Sequence, residues 1–221
     1  MKTIVILLML AVVFITACAG AGTYVQDTTG CFSFREVERD DCYFNKLKCS
    51  RISDVTVRDS CVVELAKTKE DIAVCNLIVG EKTQNYCREQ LAELTNNQSI
   101  CSDIDDQYWR DNCFFHLAVN NNKGVECPLI LNQDQREECF EEIALATNKY
   151  VLCDFLTAER REACIYKIAS ATEDITICSG LRSSLQQDAC RLKVAKLKDD
   201  ARLCEQIKFD EVRKTCDEHF E

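Results

Sequence analysis

Residues 101–118 read CSDIDDQYWRDNCFFHLA. Residues 127–144, CPLILNQDQREECFEEIA, repeat the pattern 26 positions later: a cysteine, an isoleucine three residues on, an arginine, a second cysteine and a final Leu-Ala or Ile-Ala. Apolar positions three and four residues apart are typical of helices and not of strands. A helical unit that recurs at a fixed interval predicts a repeat array.

The cysteines define the period of this array. From Cys49 to Cys216 successive gaps alternate between 12 and 14 residues, apart from one gap of 11, so the period is 26 with one copy of 25. We call the first cysteine of each unit A and the second B. The residue three after A is apolar in all eight units, and six units have an alanine five residues after B. These positions are Phe34, Ile52, Ile78, Ile104, Ile130, Leu156, Leu181 and Ile207 after A, and Ala66, Ala92, Ala118, Ala144, Ala169 and Ala195 after B.

Each unit is predicted to form a helical hairpin. The long helix surrounds B, for example from Asp54 to Thr68, and the short helix surrounds A, for example from Asp71 to Val79. Thr, Asn and Asp residues gather before the short helices, at 95–97, 147–148, 172 and 199–200, where they are good N-caps. Such a hairpin cannot bury a core alone, but a stack can. We therefore expect residues 31–221 to form an all-α, disulfide-stapled α-solenoid of about eight hairpins.

Two schemes could pair the sixteen cysteines from Cys31 onward: A with B inside each unit, or B with the following A. The gap from Cys42 to Cys49 is only seven residues, which along a helix spans about 10 Å, beyond the reach of a disulfide. The second scheme also leaves Cys31 and Cys216 unpaired at opposite ends. We therefore predict the first scheme, which gives Cys31–Cys42, Cys49–Cys61, Cys75–Cys87, Cys101–Cys113, Cys127–Cys139, Cys153–Cys164, Cys178–Cys190 and Cys204–Cys216.

The remaining cysteine, Cys18, follows a leader-like segment. Lys2 supplies one positive charge, residues 4–15 are apolar without a break, and Ile15-Thr16-Ala17-Cys18 ends the segment. Twelve apolar residues are too few to span a bilayer but suit a signal peptide. The layout resembles the lipobox of prokaryotic lipoproteins. The resemblance implies a signal peptide over 1–17 and diacylglyceryl modification of Cys18 with acyl chains such as palmitate. Residues 19–30 contain three Gly and three Thr and show no helical period, so 18–30 is predicted to be the lipidated cysteine and a flexible tether. The alternative is an ordinary secretory peptide with Cys18 incidental.

Composition limits the partners. The formal net charge is −10 at pH 7, which argues against nucleic acid. A cysteine-rich chain with a leader is expected in an oxidising compartment, here the extracytoplasmic face of a cell membrane. In broad design the array is similar to Sel1-like cysteine-rich repeat proteins, although its period is shorter, so that resemblance implies architecture only. We expect a lipid-anchored scaffold or binding module for another envelope protein.

Two other classes of function stay open. One is an enzyme acting on envelope polymer, although no catalytic motif is present and no catalytic residue is predicted. The other is a thiol-redox or metal-binding protein. The cysteines lack the Cys-x(2–4)-Cys spacing of zinc sites, and only His116 and His219 are available as histidine ligands. We therefore predict no cofactor and no metal site.

A cluster of aromatic residues near the middle of the array gives the candidate partner-binding surface. Tyr108, Trp109, Phe114 and Phe115 lie here, with His116 beside them. Aromatic side chains are common anchors of protein interfaces, and positions just after B vary between units, as partner-facing positions of repeat proteins do. Core packing is the alternative for Phe114, and His116 is expected at the surface.

An arginine precedes B by three residues in six units, often followed by Asp or Glu. These pairs could form a ladder of ligand sites, but near-identical copies at every layer favour ion pairing or capping between stacked helices. The arginines are Arg39, Arg58, Arg110, Arg136, Arg161 and Arg213. Asn97-Gln98-Ser99 also fits an N-glycosylation acceptor, which matters only in a host that glycosylates secreted proteins.

Overall fold

A computed structural model describes residues 28–221, and that part of the chain is helical without strands. The predicted solenoid of disulfide-stapled hairpins is confirmed. We number its eight long helices in chain order. They are α1 Glu36–Asn45, α2 Val55–Lys69, α3 Glu81–Thr95, α4 Gln107–Asn120, α5 Gln133–Thr147, α6 Ala158–Thr172, α7 Ser184–Lys198 and α8 Asp210–Phe220. Each packs against the next in the series.

The predicted signal peptide, Cys18 and the first part of the tether lie outside the described residues. Among the helices that the structure does describe, none combines the length and apolar character needed to cross a bilayer.

The eight disulfides follow the predicted pairing of A with B inside each unit. Their Cα–Cα distances lie between 5.5 and 5.9 Å, within the range that the bond geometry allows. Each bridge closes a loop of 11 or 12 residues and fastens a short segment to the long helix of the same unit. No bridge among them joins one unit to another, so apart from the continuous backbone neighbouring units are held together by noncovalent contacts.

The short segments around A are shorter than predicted. The helix expected over Asp71 to Val79 spans only Ile72–Cys75. The other short segments are the α-helix Gln98–Ser102 and the 3-10 helices Cys31–Ser33, Cys49–Arg51, Cys127–Leu129, Tyr150–Phe155, Ile175–Gly180 and Ala201–Gln206. The chain leaves the helical path soon after A because the side chain three residues later must turn into the core. Ile78 and Ile104, for example, are buried at that position.

The repeated apolar positions form a continuous core along the array. Seven of the eight residues three after A are buried, and only Phe34, in the first unit, is exposed. The alanine of every Leu-Ala-type pair has no exposed surface, which lets the neighbouring unit approach closely. These regular positions are therefore accounted for by packing.

Most long helices end in the same backbone motif. A residue with positive φ follows the last turn of α2, α3, α5, α6 and α7, and the next backbone N–H donates to the carbonyl of the repeated alanine. At α2, for instance, Glu70 has φ 50° and Asp71 N donates to Ala66 O at 3.2 Å. This is the Schellman pattern, which satisfies carbonyls left free at a helix end. The repeated alanine therefore has a second role as the acceptor of this bond.

Replacing Glu173, at φ 53° after α6, by glycine is expected to raise the free energy of unfolding by about 1 kcal/mol, because side chains crowd the backbone in the left-handed region. Urea unfolding followed by circular dichroism measures the change. Asn148→Gly, at the equivalent position after α5, is the control and should gain less, since asparagine tolerates this conformation. Equal gains at both positions would contradict the explanation.

Candidate functional site

A carboxylate two residues before B links each of six units to the next. Asp111 shows the geometry: its two oxygens accept from the backbone N–H groups of Leu131 at 3.0 Å and Asn132 at 2.9 Å, at the start of α5. The carboxylate thus binds backbone N–H groups of the residues that lead into the helix, where the positive end of the helix dipole favours a negative charge. The six residues with such bonds are Asp40, Asp59, Asp111, Glu137, Glu162 and Asp188.

Asp188 is the most buried of these carboxylates, with no exposed surface. Burial alone would raise the pKa of its carboxyl. The N–H of Phe209, the guanidinium of Arg191 and the N–H of Lys208 outweigh burial, so the pKa lies below its ordinary value. A group that holds its charge while buried and saturated with donors stabilises the interface between units; it is not poised to exchange protons with a substrate.

The arginines three residues before B mostly act inside their own unit. Arg110 Nη1 donates to Ile104 O at 3.0 Å, and Arg136 and Arg213 bond the equivalent carbonyls of Ile130 and Ile207. Arg161 instead pairs with Asp154 at 2.8 Å. These arginines therefore have a structural role, as expected, but their contacts lie within a unit and not between stacked units. The contact between stacked units comes from the acid beside them. Side chains engaged in this way do not form a ladder of ligand sites.

The aromatic cluster predicted to bind a partner divides between surface and core. Tyr108 is 68% exposed and contacts the half-buried ring of Trp109 edge-on. Phe115 is also partly buried against the core. Phe114 is 3% exposed, because α4 turns this side chain into the layer between units. As a correction to the candidate surface, Phe114 is a core residue, and Tyr108 is the ring that this cluster presents to solvent.

His116 takes part in a polar cluster between α3 and α4 that was not predicted from the sequence. Its Nδ1 lies 2.9 Å from Glu89 Oε1 and 3.4 Å from Glu93 Oε1. The hydrogen bond to Glu89 raises the pKa of His116, burial opposes this, and the charges of Glu89 and Glu93 add to the increase. Asn120 Nδ2 donates to Glu93 Oε2 at 3.0 Å. Glu89 and Glu93 lie together because residues four apart share a helix face. The packing of α4 against α3 places His116 opposite them.

The hollows on the described surface are shallow grooves between helices. Two of about 420 and 500 Å³ lie at the N-terminal end, beside α1. A groove of about 310 Å³ adjoins the His116 cluster and is lined by Lys67, Gln90, Glu93, Leu94, Asn120 and Asn121. This groove gives solvent and solutes access to Glu93.

Comparison with known proteins found no matching family model, no matching curated protein and no matching solved structure.

Proposed function

We propose that the chain is an extracytoplasmic protein-binding rod, held at a cell membrane through a lipid on Cys18. Eight structural disulfides support an oxidising location, since reducing compartments keep thiols free. The layout of residues 1–18 supports export and acylation. The proposed partner is another protein of the envelope, because the acidic chain disfavours nucleic acid.

Exposed apolar side chains at one edge of the array support a binding role. Leu77 and Val79 precede α3, Tyr108 is the second residue of α4, and Leu129 and Leu131 precede α5. Since equivalent positions of stacked units lie along one edge, all five occupy the edge where long helices begin. We call these five residues the central edge. Exposed apolar side chains of this kind mark interaction sites when they concentrate in one region.

The observation that carries the proposal is that repeated and varied positions of the units have different structural roles. The repeated residues supply the core, the bridges and the contacts between units. The central edge belongs to positions that vary: the place held by Leu77 in the third unit holds Asp103 in the fourth and Leu129 in the fifth. Varied exposed side chains on a regular scaffold can give selectivity for one partner without a change in the fold.

Tyr108→Ala is expected to reduce partner capture roughly tenfold or more, because an exposed tyrosine at the centre of an interface is a typical hot spot. The full chain is cross-linked in intact cells, and the species bound to it are measured by quantitative mass spectrometry. Leu185→Ala is the matched control: Leu185 is exposed and is the second residue of α7, seven residues after A like Tyr108. It should leave capture unchanged.

Equal capture by Tyr108→Ala and wild type would sink the assignment of the central edge. The anchor is checked on the same sample through the mass of the N-terminal peptide. An acylated Cys18 is expected there, and a mature N-terminus at any other residue contradicts the lipid anchor.

A further inference from the structure

The third unit differs from most of the others at one position close to its disulfide. Two residues after B, five units carry apolar side chains, namely Phe44, Val63, Phe115, Tyr166 and Leu192. The third unit carries Glu89 there, and its side chain is 95% buried, with 5% exposed. A buried carboxylate at a position that most units fill with an apolar side chain costs free energy unless strong partners compensate it, so its partners decide its role.

The fifth unit shows how the array compensates such a carboxylate with cations. Glu141, also two residues after B, bonds Lys167 Nζ at 2.9 Å and Arg160 Nη2 at 3.0 Å on α6. Burial alone would raise the pKa of Glu141, but Lys167 and Arg160 reverse the effect, and the pKa lies below its ordinary value. One carboxylate therefore has two permanent positive charges, which is a structural ion pair.

The cluster at Glu89 has the opposite balance of charge, with more carboxylates than cations. His116 occupies the place of Lys167, and Trp109 occupies the place of Arg160. A second carboxylate, Glu93, lies one helical turn along α3. One imidazole nitrogen then faces two carboxylate oxygens and can donate only one hydrogen. It is nearer to Glu89, and Glu93 Oε1 is buried without a hydrogen-bond donor among the described residues. Two negative charges meet at most one positive charge.

We propose that Glu89 Oε1, Glu93 Oε1 and His116 Nδ1 bind one divalent transition-metal ion, of which zinc is the best fit. One ligand atom from each of the three side chains lies within 4.8 Å of the other two. Nδ1 lies 2.9 and 3.4 Å from the two oxygens, close to the ~3.3 Å between ligand atoms of a tetrahedral site with bonds of about 2.0 Å. One imidazole and two carboxylates suit zinc, whereas magnesium prefers oxygen ligands and keeps its waters.

Charge and surroundings also fit this ion. A divalent ion with neutral His116 and two carboxylates gives a neutral cluster, which removes the imbalance. Asn120 holds the other oxygen of Glu93 at 3.0 Å and so orients the ligand, as outer partners of metal ligands do. The groove lined by Glu93 and Asn120 adjoins the cluster and is the route by which a water would reach the fourth ligand position. Since Glu89 and Glu93 lie on α3 and His116 on α4, the ion clips the third unit to the fourth, independently of partner binding.

Zinc binding by the full chain, freed of metal and with its disulfides intact, tests the site. Competition with a chromophoric chelator should give one zinc per chain. His116→Ala, Glu89→Gln and Glu93→Gln should each weaken binding roughly tenfold or more. Zinc should also raise the midpoint of thermal unfolding of the wild type, but not of His116→Ala, because a ligand stabilises only the state that binds it. Magnesium should do neither.

His219→Ala is the matched control, because His219 occupies the same place, three residues after B, in the last unit. The preceding unit offers it Leu192 in place of Glu89, so this variant should bind zinc as wild type does. Glu93→Gln preserves shape at a partly exposed residue and keeps the test valid if Glu89→Gln folds poorly. The proposal is overturned if zinc binding is absent, if it survives in His116→Ala, or if it is lost in His219→Ala.

Discussion

Replacing Cys101 and Cys113 together by alanine is expected to lower the free energy of unfolding by about 3 kcal/mol. Their bridge closes a loop with a sequence separation of 12, and opening it restores freedom to the unfolded chain. Both cysteines are fully buried, so the loss of sulfur also leaves space in the core. In a linear array this damage is shared with the units on each side.

Hydrogen exchange measured residue by residue distinguishes this local effect from a global one. Protection should fall most in the fourth unit, less in α3 and α5, and little in α7. The double replacement of Cys31 and Cys42, in the first described unit, is the comparison. That unit packs against α2 on one side only, so its loss should leave the centre of the array protected. An equal fall of protection along the whole array in either variant would contradict nearest-neighbour stability.

Asp188→Ala is expected to cost roughly 3 kcal/mol or more, because it leaves the N–H groups of Lys208 and Phe209 and the guanidinium of Arg191 without their acceptor. Asp188→Asn should cost less, since one oxygen remains. Lys214→Ala is the matched control: Lys214 holds the same place in the last unit, its side chain is 77% exposed, and the change should be nearly neutral. Urea unfolding of the three variants gives the comparison.

The cost of Asp188→Asn should also depend on pH. The folded pKa of Asp188 is below its ordinary value of 3.8, so its carboxylate stabilises the folded state fully above that pH. As the pH falls below 3.8, the unfolded chain takes up a proton first, and the stabilisation is lost as pH reaches the folded pKa. The difference between wild type and Asp188→Asn should therefore be constant near neutrality and shrink below pH 4. A difference that grows with acidity would show that another group is responsible.

The fold was predictable because the cysteines and apolar residues that specify it recur at a fixed interval along the chain. The gap of seven residues between Cys42 and Cys49 was enough to choose between two pairing schemes, and every bridge agrees with the choice. The length of the short helices was not predictable from the same pattern. Between Ile72 and Val79 only Ala73 and Leu77 are strong helix formers, and Asp59 binds the N–H groups of Val79 and Gly80 from the preceding unit. A contact between residues 20 apart thus acts on a segment whose local helix preference is weak.

The candidate site was less predictable for a related reason. Glu89 and Glu93 were visible as two acids four residues apart on one helix, which is common on solvated faces. Their meeting with His116 depends on the stacking of α4 on α3, and only the alignment of units places the histidine opposite Glu89. Comparison of each position after B across units gives the signal, since the acid at Glu89 stands where most units are apolar. The burial of Phe114 and the exposure of Tyr108 were likewise not predictable, because they depend on the rotation of α4 about its own axis.

Each bridge joins two cysteines that follow one another along the chain. A chain that is exported N-terminus first and oxidised during export can therefore close each bridge as soon as its second cysteine appears. If Cys18 is retained in the exported chain, as proposed, it would disturb this order of pairing. A free thiol there would precede Cys31, and pairing by emergence would join 18 to 31, 42 to 49 and 61 to 75. With the proposed lipid attached, the Cys18 sulfur would be a thioether. A thioether cannot enter thiol–disulfide exchange, because that reaction needs a thiolate. The proposed acylation of Cys18 before oxidation would therefore leave only the sixteen later thiols to pair in order. One modification would then serve both membrane attachment and correct disulfide formation.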